Sequence, residues 1–512
     1  MDARADMPLF TGSDWDFALV NRIYEAIEPI AVDEMKLNVY PNQLEIISSE
    51  QMLDAYSSVG MPLFYKHWSF GKQFVTNEML YRKGLRGLAY ELVINSNPCI
   101  SYIMQENSAM MQTLVIAHAA FGHNHFFKNN YLFRQWTDAD GILDYLEFAK
   151  RYVAQCEERH GQLAVERVLD AAHALMNQGV HRYPRVRPRD LRREAEREAE
   201  RQAYRDRIYD DLWRTVPVGA KAATVARDER LAALGLPQEN ILYFLEKSGP
   251  RLEAWQREIL RIVRLIAQYF YPQRQTKAMN EGAATYTHYR IMTTLHERGQ
   301  ITDGAFLEFL QSHTGVVYQP TYDSGHFSSF NPYALGFGIM TDIERICVEP
   351  TQEDREWFGD IAGSGDPLEV LKDIWANYRD ESFVSQFLSP RLIREWRLFK
   401  IVDRESDSEI RVDAIQDERG YRRIRRALAR EYDIGQQEPD IQVVDVDLAG
   451  DRTLMLEHVV VNGVLLDEGD AAMVLQNLAN LWGYEVVLSE VDVESRKELK
   501  SHRSQPRGDW MR

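Results

Sequence analysis

The amino-acid sequence predicts an α+β protein with a mainly helical main domain and a C-terminal mixed α/β module. Apolar residues recur at helical spacing through most of the first 390 residues, whereas β-branched residues alternate along short runs after residue 395. A chain of 512 residues is also too long for one simple core. We therefore expect a core domain over residues 1–390, a small α/β domain over 395–495 and a flexible tail over 496–512.

Local signals predict the first elements of the core domain. Residues 14–35 have the spacing of an amphipathic helix, and a second helix is expected to begin at Pro41. Residues 92–95 predict a short strand that ends before a proline. A helix break is expected near Ser108, whose hydroxyl suits an N-cap. Gly122 is then expected to end the capped helix in a left-handed conformation.

The later segments divide into a charged helix and a run of strands. Residues 185–215 predict a solvated helical arm, because arginine and acidic side chains alternate at helical spacing. Asn462-Gly463 is a hairpin signal. In the last third we expect five strands and two helices: strands at 398–402, 410–415, 441–447, 453–461 and 485–491, and helices at 421–432 and 471–482.

Composition excludes several classes of protein. The formal net charge of −18 argues against non-specific nucleic-acid binding, which needs excess lysine and arginine. The most apolar windows are about half the ~20 residues that a membrane-spanning helix needs, and the N-terminus has no signal-peptide pattern. The three cysteines form no CxxC pair, which disfavours disulfides and thiolate zinc sites. We expect a cytoplasmic protein without a membrane span.

Histidines and a carboxylate on two apolar segments predict a metal site. His118 and His123 lie in one segment, and Glu281 and His288 lie in another far downstream. Imidazole and carboxylate groups are common ligands of catalytic zinc, so we expect His118, His123 and Glu281 to hold a divalent metal, with zinc as the first choice. Two histidines five residues apart diverge by about 140° on an α-helix. Their convergence would require the helix to end at Gly122.

Proton transfer needs further groups near the metal. We assign this role to His288 and to Glu106, which stands at the expected helix break, with Glu91 beside the strand as another candidate. The competing interpretation is that these polar groups are buried structural residues or helix caps. Residues 322–327 and 331–338 are rich in glycine and aromatic residues, and we expect a structural turn there, with a substrate-lining loop as the alternative.

Several long sequence blocks resemble the SpoVR family of stage V sporulation protein R. The matching blocks are residues 65–72, 90–98, 118–130, 138–150, 279–282 and 331–333. The resemblance implies a role in spore cortex formation or in stress responses, alongside a serine protein kinase and a von Willebrand-type protein. The chain departs from the family pattern at two positions. His125 replaces a small polar residue, so it is expected to be dispensable as a ligand, and Ala283 replaces a tryptophan beside Glu281.

A second resemblance concerns the mechanism. Asn280-Glu281-Gly282, downstream of a histidine-bearing helix and a strand, is similar to the third-ligand segment of gluzincin metallopeptidases. This implies a zincin-like main domain and metal-dependent hydrolysis of a peptide or peptidoglycan-precursor bond. Ala119 stands where the HExxH pattern has its general base. The alternative hypothesis is a non-catalytic scaffold that regulates the kinase-containing assembly and holds a metal only for stability.

Overall fold

The computed structural model describes residues 7–57, 65–82, 91–181, 234–320, 330–402, 411–448, 450–461, 463–508 and 510. Internal contacts divide the chain into two compact units. The first unit contains residues 1–148 and 271–434, and the second contains 149–270 and 435–512. Each unit is therefore assembled from two separate segments of chain. Helices predominate over small mixed sheets, in agreement with the predicted α+β class.

The first group of helices and strands lies within residues 7–181. They are α1 (Phe17–Glu28), a first π-helix (Pro29–Glu34), β1 (Asn42–Ile47), α2 (Ser49–Ser57), α3 (Trp68–Arg82), β2 (Glu91–Ile94), β3 (Cys99–Met104), α4 (Ala109–Ile116), a second π-helix (Ala117–His123), α5 (Asn124–Asn129), α6 (Tyr131–Trp136), α7 (Ile142–His160), α8 (Gln162–Ala174) and a 3-10 turn (Met176–Gln178).

The remaining elements begin at residue 241. They are α9 (Ile241–Ser248), α10 (Ala254–Gln275), α11 (Lys277–Glu297), α12 (Asp303–Val316), α13 (Pro332–Val348), α14 (Gln352–Trp357), α15 (Pro367–Asn377), α16 (Asp380–Phe387), α17 (Pro390–Glu395), β4 (Lys400–Val402), β5 (Arg411–Ala414), α18 (Glu418–Glu431), α19 (Ile434–Gln437), β6 (Asp440–Val446), β7 (Leu454–Val460), α20 (Glu468–Trp482), β8 (Val486–Asp492) and β9 (Glu498–Ser504). The predicted arm at 185–215 lies outside the described residues.

A three-stranded sheet in the first unit has the order β1-β3-β2. β1 runs parallel to β3, and β2 pairs antiparallel to β3, so the strand predicted at 92–95 is confirmed. The start predicted for the second helix at Pro41 is wrong, because residues 42–47 form β1 and the helix, α2, begins at Ser49. The apolar residues of β1 fit helical spacing locally, but pairing from Asn42 opposite Cys99 to Ile47 opposite Met104 supplies backbone partners that local spacing does not reveal.

His118 and His123 lie on one nearly continuous helical segment. Ser108 caps its start by accepting a hydrogen bond from the Met111 N–H at 3.2 Å, as predicted. The predicted end at Gly122 is wrong, because the segment passes through the second π-helix into α5. Gly122 serves close packing instead of a turn, since a Cβ atom there would lie 2.5 Å from Cα of Ala284 on α11.

Helix α11 lies in the core of the first unit and packs against α13. The two helices cross where Gly282 meets Gly336, and a Cβ atom at Gly336 would lie 2.1 Å from the carbonyl oxygen of Ala278. The turn predicted at 331–338 is wrong, because Asn331 caps α13 by accepting from the Tyr333 N–H at 3.0 Å. The companion segment 322–327 lies outside the described residues.

The second unit contains a four-stranded sheet with the order β6-β7-β8-β9. β7 and β8 are parallel and α20 connects them, so the Asn462-Gly463 hairpin is wrong, although Gly463 does have a positive φ of 73°. Asn462 itself lies outside the described residues. Residues 498–504, expected within a flexible tail, pair with β8 as strand β9.

The strands predicted nearest residue 395 belong to the first unit. β4 and β5 pair with each other in a separate two-stranded sheet, and β5 lies in the segment 271–434 that completes the first unit. In the division by internal contacts, the second segment of the first unit ends at residue 434. Among the described residues, no helix combines the length and the apolar content needed to cross a membrane.

Candidate metal centre

Four side chains from three elements converge inside the first unit. Glu91 lies on β2, and one ligand atom each of Glu91, His118 and His123 lie within 4.8 Å of one another. Oε2 of Glu281, on α11, is 3.7 Å from Nε2 of both histidines. Oε1 of Glu91 is 3.7 Å from Nε2 of His118. Two ligands of one tetrahedral zinc ion lie about 3.4 Å apart, so these separations are near those of a ligand set.

The π-helix explains how His118 and His123 share one face. A π-helix bonds residue i to residue i+5, and its wider turn places residues five apart on the same side of the helix. The Asn124 N–H accordingly donates to the carbonyl of Ala119. The two imidazole centroids are 4.5 Å apart, with the ring planes at 90°. The π-helix thus brings both rings together while the helix continues past Gly122. The expectation that the two histidines converge only if the helix ends at Gly122 is therefore wrong.

Two atoms at the centre of the cluster have unmet bonding capacity. Nε2 of His118 and Oε2 of Glu281 are buried and lie 3.7 Å apart, and neither has a hydrogen-bond partner among the residues that the structure describes. Leaving a polar atom unpaired in a protein interior costs about 1–3 kcal/mol. A divalent cation between them would satisfy both atoms. The residues present therefore fit a bound metal.

Electrostatics favours the protonation states that a metal requires at two of the ligands. Burial alone would raise the pKa of Glu281, but His118, His123 and Tyr333 together hold it below its ordinary value. Burial, reinforced by His118, lowers the pKa of His123 to about 4. Glu281 is therefore ionised and His123 is neutral at pH 7, which are the states that ligate metals.

The other two residues show the opposite shifts. Burial would lower the pKa of His118, but the adjacent Glu281 and Glu91 carboxyls raise it above its ordinary value. Burial raises the pKa of Glu91, and Glu281 adds to this effect while His118 opposes it. Without a bound ion, the cluster therefore brings acidic and basic side chains together in the protein interior. Perturbed groups gathered at one point are typical of functional sites.

Neighbouring polar groups orient the ligands. The amide oxygen of Asn280 is 2.9 Å from Nδ1 of His123, so this nitrogen carries the hydrogen and Nε2 keeps its lone pair. The Tyr333 hydroxyl contributes a hydrogen bond to Glu281. Tyr333 stands in the first turn of α13, and its position beside Glu281 is not predictable from the sequence, which indicates a turn in this segment.

Of the two residues assigned to proton transfer, His288 contacts His118, whereas Glu106 lies at the start of α2. Nδ1 of His288 is 2.9 Å from Nδ1 of His118, on the opposite edge of that ring from Nε2. Glu106 is exposed and accepts a hydrogen bond from the Ser49 N–H at 3.2 Å, at the start of α2. Glu106 is therefore not brought into the cluster, whereas Glu91 is. A helix-start contact is the ordinary structural role that competed with catalysis for Glu106.

The two departures from the family pattern lie outside the ligand set. His125 accepts a hydrogen bond at Nδ1 from the Asn38 N–H at 2.9 Å, and burial lowers its pKa to about 4. Ala283 is buried in the hydrophobic core of the first unit. Neither residue belongs to the group of Glu91, His118 and His123 whose ligand atoms converge.

A cavity of about 320 Å³ opens beside the cluster. Its volume is at the lower end of the range for ligand pockets, about 300–1,000 Å³. Apolar side chains from α4 and α12 form one wall, and polar groups form the rest. The lining includes Glu91, Met111, Leu114, Ser312, His313 and Tyr333. A small substrate group placed there would lie next to His118.

Two protein families match the chain. The family described as SpoVR like protein matches residues 14–437, and the one described as SpoVR-like C-terminal domain matches residues 439–493. A protein of Escherichia coli (strain K12) described as uncharacterized protein YcgB is 51% identical over 491 residues, which are 96% of this chain and 95% of that protein. No solved structure matches the chain.

Proposed function

The chain belongs to the SpoVR family, and we propose that it is a metal-dependent hydrolase acting on a peptide or peptidoglycan-precursor bond. The observation that carries the proposal is a pair of buried atoms, Nε2 of His118 and Oε2 of Glu281, that lie 3.7 Å apart without a hydrogen-bond partner in the described part of the chain. His118 also lines the cavity. Two imidazoles and a carboxylate with adjacent open space are the donor set of zinc peptidases such as thermolysin. A zincin-like mechanism for the main domain is part of this proposal.

The proposed ligands are His118, His123 and Glu281. When bound, the metal would supply Lewis acidity for polarising a carbonyl and activating water. The chain itself supplies orientation, since Asn280 fixes the ring of His123 and Tyr333 fixes the carboxylate of Glu281. These contacts reduce the reorganisation needed when substrate binds.

Glu91 is the residue best placed to move a proton. The position after His118 is occupied by alanine, so the general base of the HExxH pattern is missing from the helix. Glu91 approaches from β2 and reaches 3.7 Å from Nε2 of His118 while also lining the cavity. In the proposed reaction the carboxylate of Glu91 would accept a proton from the attacking water and deliver it to the leaving group of the substrate.

Elemental analysis tests the proposal directly. The protein is purified without a histidine tag or chelators as wild type, Glu281→Ala and Glu106→Ala. We expect about one zinc, iron or manganese ion per chain in the wild type and in Glu106→Ala, because Glu106 is remote from the cluster. Glu281→Ala should lose the ion. Absence of metal from all three proteins would overturn the proposal.

A basic helical surface favours a second candidate function, a regulatory partner of a serine protein kinase and a von Willebrand-type protein. α18 exposes a row of arginines at helical spacing on a chain whose net charge is −18. They are Arg419, Arg422, Arg423, Arg426 and Arg430. Such a face suits an acidic partner surface and requires no catalysis.

The His118→Ala, His123→Ala double variant separates the two functions. A protein that keeps its fold but loses its metal would support the hydrolase, whose metal serves chemistry. Collapse of the fold would support the scaffold, whose metal serves stability. Circular dichroism and metal content measured on the same sample give the answer.

A further inference from the structure

We propose that His313 is a positioning residue for the metal centre: through His288, it fixes the tautomer in which His118 presents the Nε2 lone pair to the ion. The inference rests on the metal site proposed above and assigns a role to a histidine outside the ligand set. His313 lies on α12, about 200 residues from His118 in the sequence.

Three buried imidazoles form a chain that leads away from the ligands. Nδ1 of His118 is 2.9 Å from Nδ1 of His288, and Nε2 of His288 is 3.1 Å from Nδ1 of His313. All three side chains are buried, with 3–6% of each residue exposed. Both nitrogen–nitrogen distances are those of hydrogen bonds. Each contact must therefore contain one hydrogen.

The direction of these hydrogens is coupled along the chain. A neutral imidazole carries one hydrogen, so the nitrogen that does not donate must accept. If Nε2 of His118 binds a metal, its hydrogen lies on Nδ1 and is donated to His288. His288 then carries its hydrogen on Nε2 and donates it to His313, whose own hydrogen lies on Nε2. The opposite order places a hydrogen on Nε2 of His118 and blocks the ligand position.

Aromatic side chains surround the two outer rings. Burial, reinforced by His118, lowers the pKa of His313 to about 4. The ring of Phe309 packs against both, with centroids 5.9 Å from His288 and 5.5 Å from His313. Phe337 closes another side of His313 at 4.8 Å. This aromatic packing holds the imidazole of His313 in place within hydrogen-bond distance of His288.

Two substitutions separate positioning from packing. His313→Leu removes the acceptor at about the same volume, whereas His313→Asn restores an acceptor oxygen near the place of Nδ1. We expect His313→Leu to weaken zinc binding by up to about tenfold, because loss of the direct hydrogen-bond partner of a metal-binding histidine costs about 10- to 100-fold and His313 acts through one further imidazole. His313→Asn should recover most of this loss. His296→Leu, on α11 and outside the chain of imidazoles, is the matched control.

Zinc affinity is measured by chelator competition, and the cobalt-substituted protein reports ligand geometry through its visible spectrum. Equal zinc affinity in wild type and His313→Leu would overturn the positioning role while leaving the hydrolase proposal intact. Equal weakening in His313→Leu and His313→Asn would also overturn it, because packing would then be the cause. A wild-type protein that binds no zinc would overturn both proposals.

Nitrogen NMR of histidine-labelled wild-type protein provides a test that requires no variant. With zinc bound, His288 should show a hydrogen on Nε2 and a bare Nδ1. The reverse tautomer of His288 in the zinc-loaded protein would overturn the inference even if no His313 variant folds.

Discussion

The imidazole rings of His118 and His123 meet edge to face, with centroids 4.5 Å apart, although five residues separate them in the sequence. An α-helix would place them on different faces, and only the wider turn of a π-helix aligns them. The local helix geometry is therefore part of the candidate metal centre. π-Helical turns are rare in proteins and occur frequently at functional sites.

Gly122 is predicted to maintain the close contact between the π-helix and α11. In Gly122→Ala the new methyl group would lie 2.5 Å from Cα of Ala284, so α11 must move and carry Glu281 away from the histidines. We expect a loss of about 1–3 kcal/mol in the free energy of unfolding and weaker metal binding. Gly304→Ala on α12 has room for its methyl group and is the control. Unchanged metal content in Gly122→Ala would contradict this prediction.

The two carboxylates near the histidines are predicted to differ in their effect on metal binding. Glu281 is 3.7 Å from Nε2 of both His118 and His123, whereas Glu91 has this distance to His118. Glu281→Gln should therefore weaken zinc binding at least tenfold more than Glu91→Gln. Isothermal titration of each apoprotein with zinc measures the difference. Equal affinities would show that the carboxylates are equivalent ligands.

The buried ion pair of Asp354 and Arg345 predicts a loss of stability in acid. Arg345 donates two hydrogen bonds to this carboxylate, at 2.6 and 2.9 Å, and Thr351 donates two more. Despite burial, which raises it, these contacts lower the pKa of Asp354 to about 2, below its ordinary value of 3.8. Because the folded pKa is depressed, the stabilisation is complete above about pH 4 and disappears as the pH falls towards 2.

The expected contribution of Asp354 is about 2 kcal/mol at neutral pH. Urea unfolding at pH 5 and at pH 2.5 should show that wild type loses more stability in acid than Asp354→Asn does. The exposed Asp360→Asn serves as the control and should follow wild type. Parallel losses in wild type and Asp354→Asn would refute the assignment.

Glu490 is predicted to be the most sensitive carboxylate in the second unit. It is fully buried and accepts hydrogen bonds from Nδ1 of His458 at 3.0 Å and Nε2 of His502 at 2.8 Å. Glu490→Ala leaves both imidazoles without this partner and should cost about 3–5 kcal/mol. Glu498→Ala, exposed on β9, should change stability by less than about 0.5 kcal/mol. Denaturant unfolding followed by the fluorescence of buried Trp482 measures both.

Features encoded by neighbouring residues were predictable from the sequence. The Ser108 cap depends on a hydroxyl and an N–H three residues later, and β2 depends on a short apolar run before a proline. The clustering of His118, His123 and Glu281 was also predictable, because buried histidines and a carboxylate on two apolar segments need polar partners, which each segment supplies to the other.

Features that depend on distant partners were not predictable. β1 takes its partner from β3, more than 50 residues later, so its apolar spacing was read as helical. The π-helix was not predictable because the spacing of apolar residues in this segment fits an α-helix equally well. The sequence favours Glu106 over Glu91 as a proton-transfer residue because Glu106 lies beside a helix break. A local feature of this kind does not indicate which carboxyl group lies near a histidine on another element.

The division of each unit into two chain segments has a consequence during synthesis. About 160 residues separate His123 from Glu281, and the segment that begins the second unit is made between them. At 5–20 residues per second, the ribosome needs roughly 8–30 s to add that stretch. For that time the nascent chain presents two histidines without their carboxylate, together with the apolar surface that α11 will cover. Chaperones that bind unfinished chains therefore have a defined interval in which to protect this surface.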